Sequence, residues 1–97
     1  MIAYISHPDC RLHDMGRGHP ESPARLGAIE DQLNASGLMY LLQHVEAPKA
    51  SREQLARAHS AEYIDGVFAQ SPVTGLARLD GDTAMNPYSL DAALRAA

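Results

Sequence analysis

Three histidines at six-residue intervals, His7, His13 and His19, share one stretch with Asp9, Cys10, Asp14 and Glu21. Imidazole, thiolate and carboxylate are all zinc donors, so a metal site is the first chemistry to weigh. The spacing argues against it, because compact zinc sites pair their ligands at short fixed intervals and the sequence holds neither C-x-x-C nor H-E-x-x-H. The plainer reading is a polar loop whose histidines hydrogen-bond the backbone. Asp80-Gly81-Asp82-Thr83 opens like a calcium loop, but position twelve counted from Asp80 is Asp91 where a bidentate glutamate is needed. A turn is expected there instead. Arg25 falls in the first turn of a predicted helix, where the positive end of the dipole disfavours a cation, and Glu21 is the nearest anion to compensate it. His59 reads as a packing histidine, and Tyr63 and Tyr88 as core or rim aromatics.

The elements that must position these residues can be taken in chain order. Ile2-Ala3-Tyr4-Ile5 is a short apolar run ending at the turn signal Ser6-His7-Pro8-Asp9, which predicts a β-strand. Because the run is continuous and not alternating, both faces of that strand are expected to be covered, as in a parallel α/β sheet. Residues 8 to 21 are expected to be loop. Ser22 as N-cap, Pro23 at the first helical position and the stripe Leu26, Ile29, Leu33 predict a helix to about Ala35, stopped by Gly37. A short connection and a strand over Leu41 to Glu46 follow, ended by Pro48. Ser51 and Gln54 have the capping-box spacing, and Ser60 caps a helix whose buried face is Ile64, Val67 and Phe68. Residues 73 to 85 read as irregular, with an extended piece near Ala77 to Leu79. Asn86-Pro87 begins a last helix with Leu90, Leu94 and Ala97 on one stripe.

Composition bounds the function. Leu, Ile, Val and Phe total 19 of 97 residues, a thin core that favours burying further surface against something else. The net charge of −4 and the lack of any basic run argue against nucleic-acid binding through phosphate contacts. No apolar run approaches membrane-spanning length and the first residues lack the pattern of a signal peptide, so no membrane partner is expected and the cytoplasm is the default. The single Cys10 cannot form an internal disulfide.

Gly16-Arg17-Gly18-His19-Pro20-Glu21-Ser22-Pro23-Ala24-Arg25-Leu26 resembles the N-terminal signature of the histone deacetylase superfamily, which includes acetoin-utilisation proteins and acetylpolyamine amidohydrolases. The stretches Leu55 to Ile64 and Leu79 to Ser89 resemble the same family in the same order, so that nearly the whole chain is covered. The resemblance implies an α/β, arginase/deacetylase-like three-layer fold. Of it this chain would hold the N-terminal portion, one or two strands with about four helices in a single truncated domain over residues 1–97. It also implies that Arg25 lies beneath the active site, along an internal cavity through which acetate passes, with Gly18, His19, Pro20 and Glu21 forming the motif loop ahead of it. On the residues alone, a structural Arg25–Glu21 pair is an equal alternative.

Members of that family are zinc-dependent amidohydrolases: zinc polarises the amide carbonyl and activates water, histidines move protons and a tyrosine steadies the oxyanion. The family's G-H-H histidine pair, D-x-H zinc motif, second zinc aspartate and catalytic tyrosine lie downstream of the matched region, and this sequence contains neither His-His nor Asp-x-His. Zinc is therefore expected in the intact family, and no catalytic residue, metal ligand or cofactor in this chain. Three readings stay open. The chain is the N-terminal part of a deacetylase-like enzyme, missing its C-terminal catalytic portion and inactive alone; or a stand-alone self-associating module; or a small metal-binding protein using its histidine-rich loop. The thin core predicts a homodimer.

Overall fold

In the computed structural model, which describes residues 1–97, two strands form a parallel pair: β1 (Ile2–Ser6) and β2 (Leu42–Glu46), in register from Ile2 against Leu42 to Ser6 against Glu46. Between them the chain makes a short 3₁₀ helix at Pro8–Arg11, the motif loop, helix α1 (Ala24–Ala35) and a second 3₁₀ turn at Leu38–Leu41. After β2 come α2 (Arg52–Leu55), α3 (Ala61–Gln70), a hairpin of β3 (Ala77–Arg78) and β4 (Ala84–Met85), and α4 (Ser89–Ala96). This is a partial α/β fold with four α-helices.

Local chemistry explains most boundaries. Ser51 Oγ accepts the Gln54 amide while the Gln54 side chain accepts the Ser51 amide, the reciprocal capping box that starts α2. Ser60 Oγ accepts the Tyr63 amide and starts α3. Gly37 stands at φ +80° just after α1, the left-handed position that only glycine adopts without strain.

Four expectations are corrected. Ser22 does not cap α1 through its hydroxyl; its carbonyl accepts the Arg25 amide, Pro23 already has helical backbone angles, and the helix opens at Ala24. Residues 8 to 11 are not loop, because His7 accepts the Asp9 amide on Nδ1 and so caps a 3₁₀ turn. The last helix starts at Ser89, since the Asn86 side chain accepts the Tyr88 amide and holds Asn86-Pro87-Tyr88 as a turn ahead of it. The faces of β1 are also not both covered, for Ile2 is 72% and Ile5 62% exposed.

The core is small, and most of its residues are too. Only Ala47, Ile64, Ala84, Met85, Ser89 and Ala92 are buried, six of 97 residues, all but Ala47 and Ile64 lying in β4 and α4. A radius of gyration of 15.1 Å exceeds the roughly 12.5 Å expected of a closed domain of this length. Polar ties replace part of the missing packing. Arg95 on α4 donates from Nε to Asp9 Oδ2 at 3.1 Å and from Nη1 to the Ala47 carbonyl at 2.9 Å. Tyr4 donates its hydroxyl to Glu30 Oε1 of α1 at 2.7 Å, and burial together with that carboxylate pushes its phenol above its ordinary 10.0. No helix is long and apolar enough to cross a membrane.

Two glycines test the backbone argument in opposite directions. A Cβ at Gly37 or at Gly66 in α3 would meet nothing within 4 Å, so only backbone preference is at stake. Gly37→Ala should destabilise the fold by about 1 kcal/mol, whereas Gly66→Ala should stabilise it by about 0.5–1 kcal/mol. Urea unfolding of both variants reads the two signs.

Candidate functional site

The motif loop, the β3–β4 hairpin and the start of α4 meet around a groove of about 450 Å³. Its walls include Cys10, His13, Arg25, Tyr63, Met85 and Ser89.

At its floor, His13 Nδ1 lies 2.6 Å from Ser89 Oγ. A serine beside a histidine invites a nucleophile reading, but the proton positions oppose it. Ser89 Oγ already donates to Asn86 Oδ1 at 2.9 Å and accepts the Asn86 amide at 2.8 Å. With its single proton so engaged, the hydroxyl can only accept from His13, which therefore carries the proton on Nδ1 and is no base toward Ser89. Asn86 Nδ2 completes the cluster by donating to the Leu12 carbonyl at 2.7 Å. The cluster pins residues 12 and 13 to the head of α4.

His19 has a different partner. Its Nδ1 accepts the Glu21 amide at 3.0 Å, which leaves the proton on Nε2, and Nε2 faces both the carbonyl and Oδ1 of Asp82 at 3.1 Å. His7 repeats this arrangement: Nδ1 accepts the Asp9 amide at 3.0 Å and Nε2 faces Glu46 Oε1 at 3.3 Å. The doubled His-Pro-acid of the sequence is thus one local device used twice, an imidazole that caps the amide two residues on and turns its remaining N–H to a distant carboxylate. Both rings have spent the Nδ1 lone pair, and His13 points elsewhere. The three histidines do not converge, and no group of three or more His, Cys, Asp or Glu is placed to hold a metal ion.

Arg25 donates from Nη1 to both oxygens of Glu21 at 2.9 Å. Both side chains are nearly half exposed, so water screens a pair of this kind to a few tenths of a kcal/mol. Gly18 takes φ +82° in the loop ahead of them, and Pro20 lies exposed between His19 and Glu21. His59 stacks on Tyr63 with centroids 5.1 Å apart, at the edge of the groove. The Asp80-Gly81-Asp82-Thr83 turn is held by Asp80 Oδ1, which accepts the Asp82 and Thr83 amides at 2.8 Å each.

Sequence reasoning missed Ser89 and Met85 as groove residues and Asn86 as the partner that holds Ser89. Asn86 carried a signal, since Asn-Pro ahead of an apolar stripe is a side-chain cap as well as a turn. The His13–Ser89 contact, 76 residues apart, carried none.

The Asp80 carboxyl sits below its ordinary 3.8, first because of the Asp82 amide and then the Thr83 amide. A depressed folded value means that the turn's stabilisation is present above the ordinary value and lost as pH falls through the folded one. NMR titration should show Asp80 protonating below 3.8 and the Asp82 and Thr83 amide shifts following the same curve. Asp80→Ala should abolish that inflection at both amides.

A family model described as the histone deacetylase domain matches residues 19–97. An uncharacterized protein of Synechocystis sp. is 37% identical over 98 aligned residues, covering 96% of this chain. A histone deacetylase-like amidohydrolase of Pseudomonas aeruginosa is 38% identical over 78% of this chain, and a probable histone deacetylase 19 of Zea mays 30% identical over 75%. This chain spans 31%, 20% and 14% of those three relatives' lengths. Among solved structures, the HDA15 HD domain superposes with a TM-score of 0.85 at 27% identity, covering 98% of this chain and 28% of that one.

Proposed function

This chain belongs to the histone deacetylase family, and we propose that it serves as the N-terminal framework of a zinc-dependent deacylase domain, with no amide hydrolysis of its own. The observation that carries this reading is the backbone itself: 98% of the chain follows the HDA15 domain while accounting for 28% of it. A framework role asks these residues to wall a cavity and hold its shape, which the His13–Ser89–Asn86 cluster and the two His-Pro-acid turns are built to do.

The side chains present do not fit a zinc ion. His7 and His19 have no free Nδ1 lone pair, His13 is turned to Ser89, and no third donor converges on any of them. No catalytic step is therefore routed through a metal here. Within the proposed domain the zinc, its ligands and the oxyanion tyrosine come from the part of the fold that residues 1–97 do not supply.

Arg25 takes the cavity role in this reading. It lines the groove while Nη1 of its guanidinium is held by Glu21, which leaves its other N–H groups to donate to a carboxylate product such as acetate.

Two measurements test this. The purified chain, supplied with zinc and offered acetyl-lysine peptides or acetylpolyamines, should give background turnover only; zinc-dependent turnover abolished by a chelator overturns the reading. A chimera in which this chain replaces the matching segment of the Pseudomonas amidohydrolase should be active. In it Arg25→Ala should lower kcat by about tenfold, the loss of roughly 1.4 kcal/mol at the transition state, with the melting temperature unchanged. Unaltered kinetics, or a variant that unfolds, would assign Arg25 to the plain ion pair with Glu21.

A further inference from the structure

We propose, resting on the cavity role of Arg25, that His19 is a positioning residue for that side chain. Its imidazole ties the Glu21 backbone to the β3–β4 hairpin, and the Glu21 carboxylate in turn sets the Arg25 guanidinium at the groove wall. Contacts run without a break from Asp82 through His19 and Glu21 to Arg25. Glu21 and Arg25 line the groove and His19 does not, so the imidazole acts on it only through them.

Arg25 needs a holder. Its backbone is fixed at the start of α1, where the Ser22 carbonyl accepts its amide, but its side chain is long, rotamer-rich and nearly half exposed. The positive end of the helix also repels a cation. Glu21 counters both effects by accepting Nη1 on its two oxygens at 2.9 Å each. An exposed ion pair holds little, however, when both of its partners are free to move. Something must therefore fix Glu21.

The ring of His19 does so. Just ahead of it Gly16 and Gly18 stand at φ +110° and +82°, so the chain enters this turn through backbone with many alternatives. Nδ1 accepts the Glu21 amide at 3.0 Å, and Nε2 donates towards the Asp82 carbonyl and Oδ1, both at 3.1 Å. Of these two the carbonyl is the firmer partner, because the Asp82 side chain is 92% exposed. Its backbone is fixed in turn, since Asp80 Oδ1 accepts the Asp82 amide at 2.8 Å. The His19 side chain is 21% exposed, so the cap on Glu21 is better shielded from water than the ion pair it supports.

Asparagine separates the two bonds of the ring, since its Oδ1 accepts the amide two residues on while its short side chain stops short of Asp82. In the chain itself, His19→Ala should lower the heteronuclear NOE of Arg25 Nε to that of Arg17, an exposed arginine in the same loop, and His19→Asn should keep most of it. His19→Gln, which reaches the hairpin without capping Glu21, should behave as His19→Ala does and serves if the alanine variant unfolds. In the Pseudomonas chimera, His19→Ala should lower kcat about fivefold, half the loss expected of Arg25→Ala. The double variant should be no slower than Arg25→Ala alone, because a residue acting through Arg25 has no effect once that side chain is gone. Additive losses in this cycle, or an Arg25 Nε NOE unmoved by both His19→Ala and His19→Gln, overturn the proposal. An NOE that falls beside a chimera indifferent to Arg25→Ala overturns the cavity role instead and upholds the clamp.

Discussion

The parallel pairing of β1 with β2 sets the terms for everything else in this molecule. Parallel strands need a long crossover, which here contains α1, and they are stable when both faces of the sheet are covered. This chain covers only part of one face, at Tyr4 and Leu42. Tyr4 reaches Glu30 on α1, while Ile2 and Ile5 remain largely in water. Helix α4 packs against the 3₁₀ turn that follows β1, and most of the buried residues lie in α4 and the hairpin.

With so little buried, directional contacts carry the architecture. Arg95 satisfies both the Asp9 carboxylate and the Ala47 carbonyl, and the His13–Ser89–Asn86 cluster leaves no buried side-chain polar atom without a partner. Such contacts fix geometry more firmly than they stabilise, because each exchanges a bond to water for a bond to protein and nets only about 1 kcal/mol. A framework that must present a cavity wall gains from that trade. Its shape is specified even where its core is thin.

Much of this was legible in the sequence. The parallel strands, the capping box at Ser51 and Gln54, the Ser60 cap, the stop at Gly37 and the family itself all announced themselves through local chemistry. The thin core showed in the scarcity of Leu, Ile, Val and Phe. What escaped was of two kinds. Ser22 failed as a cap because its carbonyl, and not its hydroxyl, takes the Arg25 amide, a choice between two oxygens of one residue that no pattern encodes. The apolar run of β1 suggested two covered faces, but hydrophobicity records the surroundings a strand is suited to and not those that one stretch of chain supplies. Contacts such as His13 with Ser89 join residues that share no periodicity.

The ties between the two ends of the chain also order events in time. Asp9 with Arg95, Leu12 with Asn86 and His13 with Ser89 span 86, 74 and 76 residues, so each closes a loop of nearly the whole chain. Loop-closure entropy must be met before such contacts return anything, and on a ribosome their second partners emerge long after their first. The 3₁₀ turn and the residues after it therefore wait, capped locally by His7, until α4 is made. Until that moment β1 and β2 stand with few other contacts, and the nascent chain depends on local caps to keep its register.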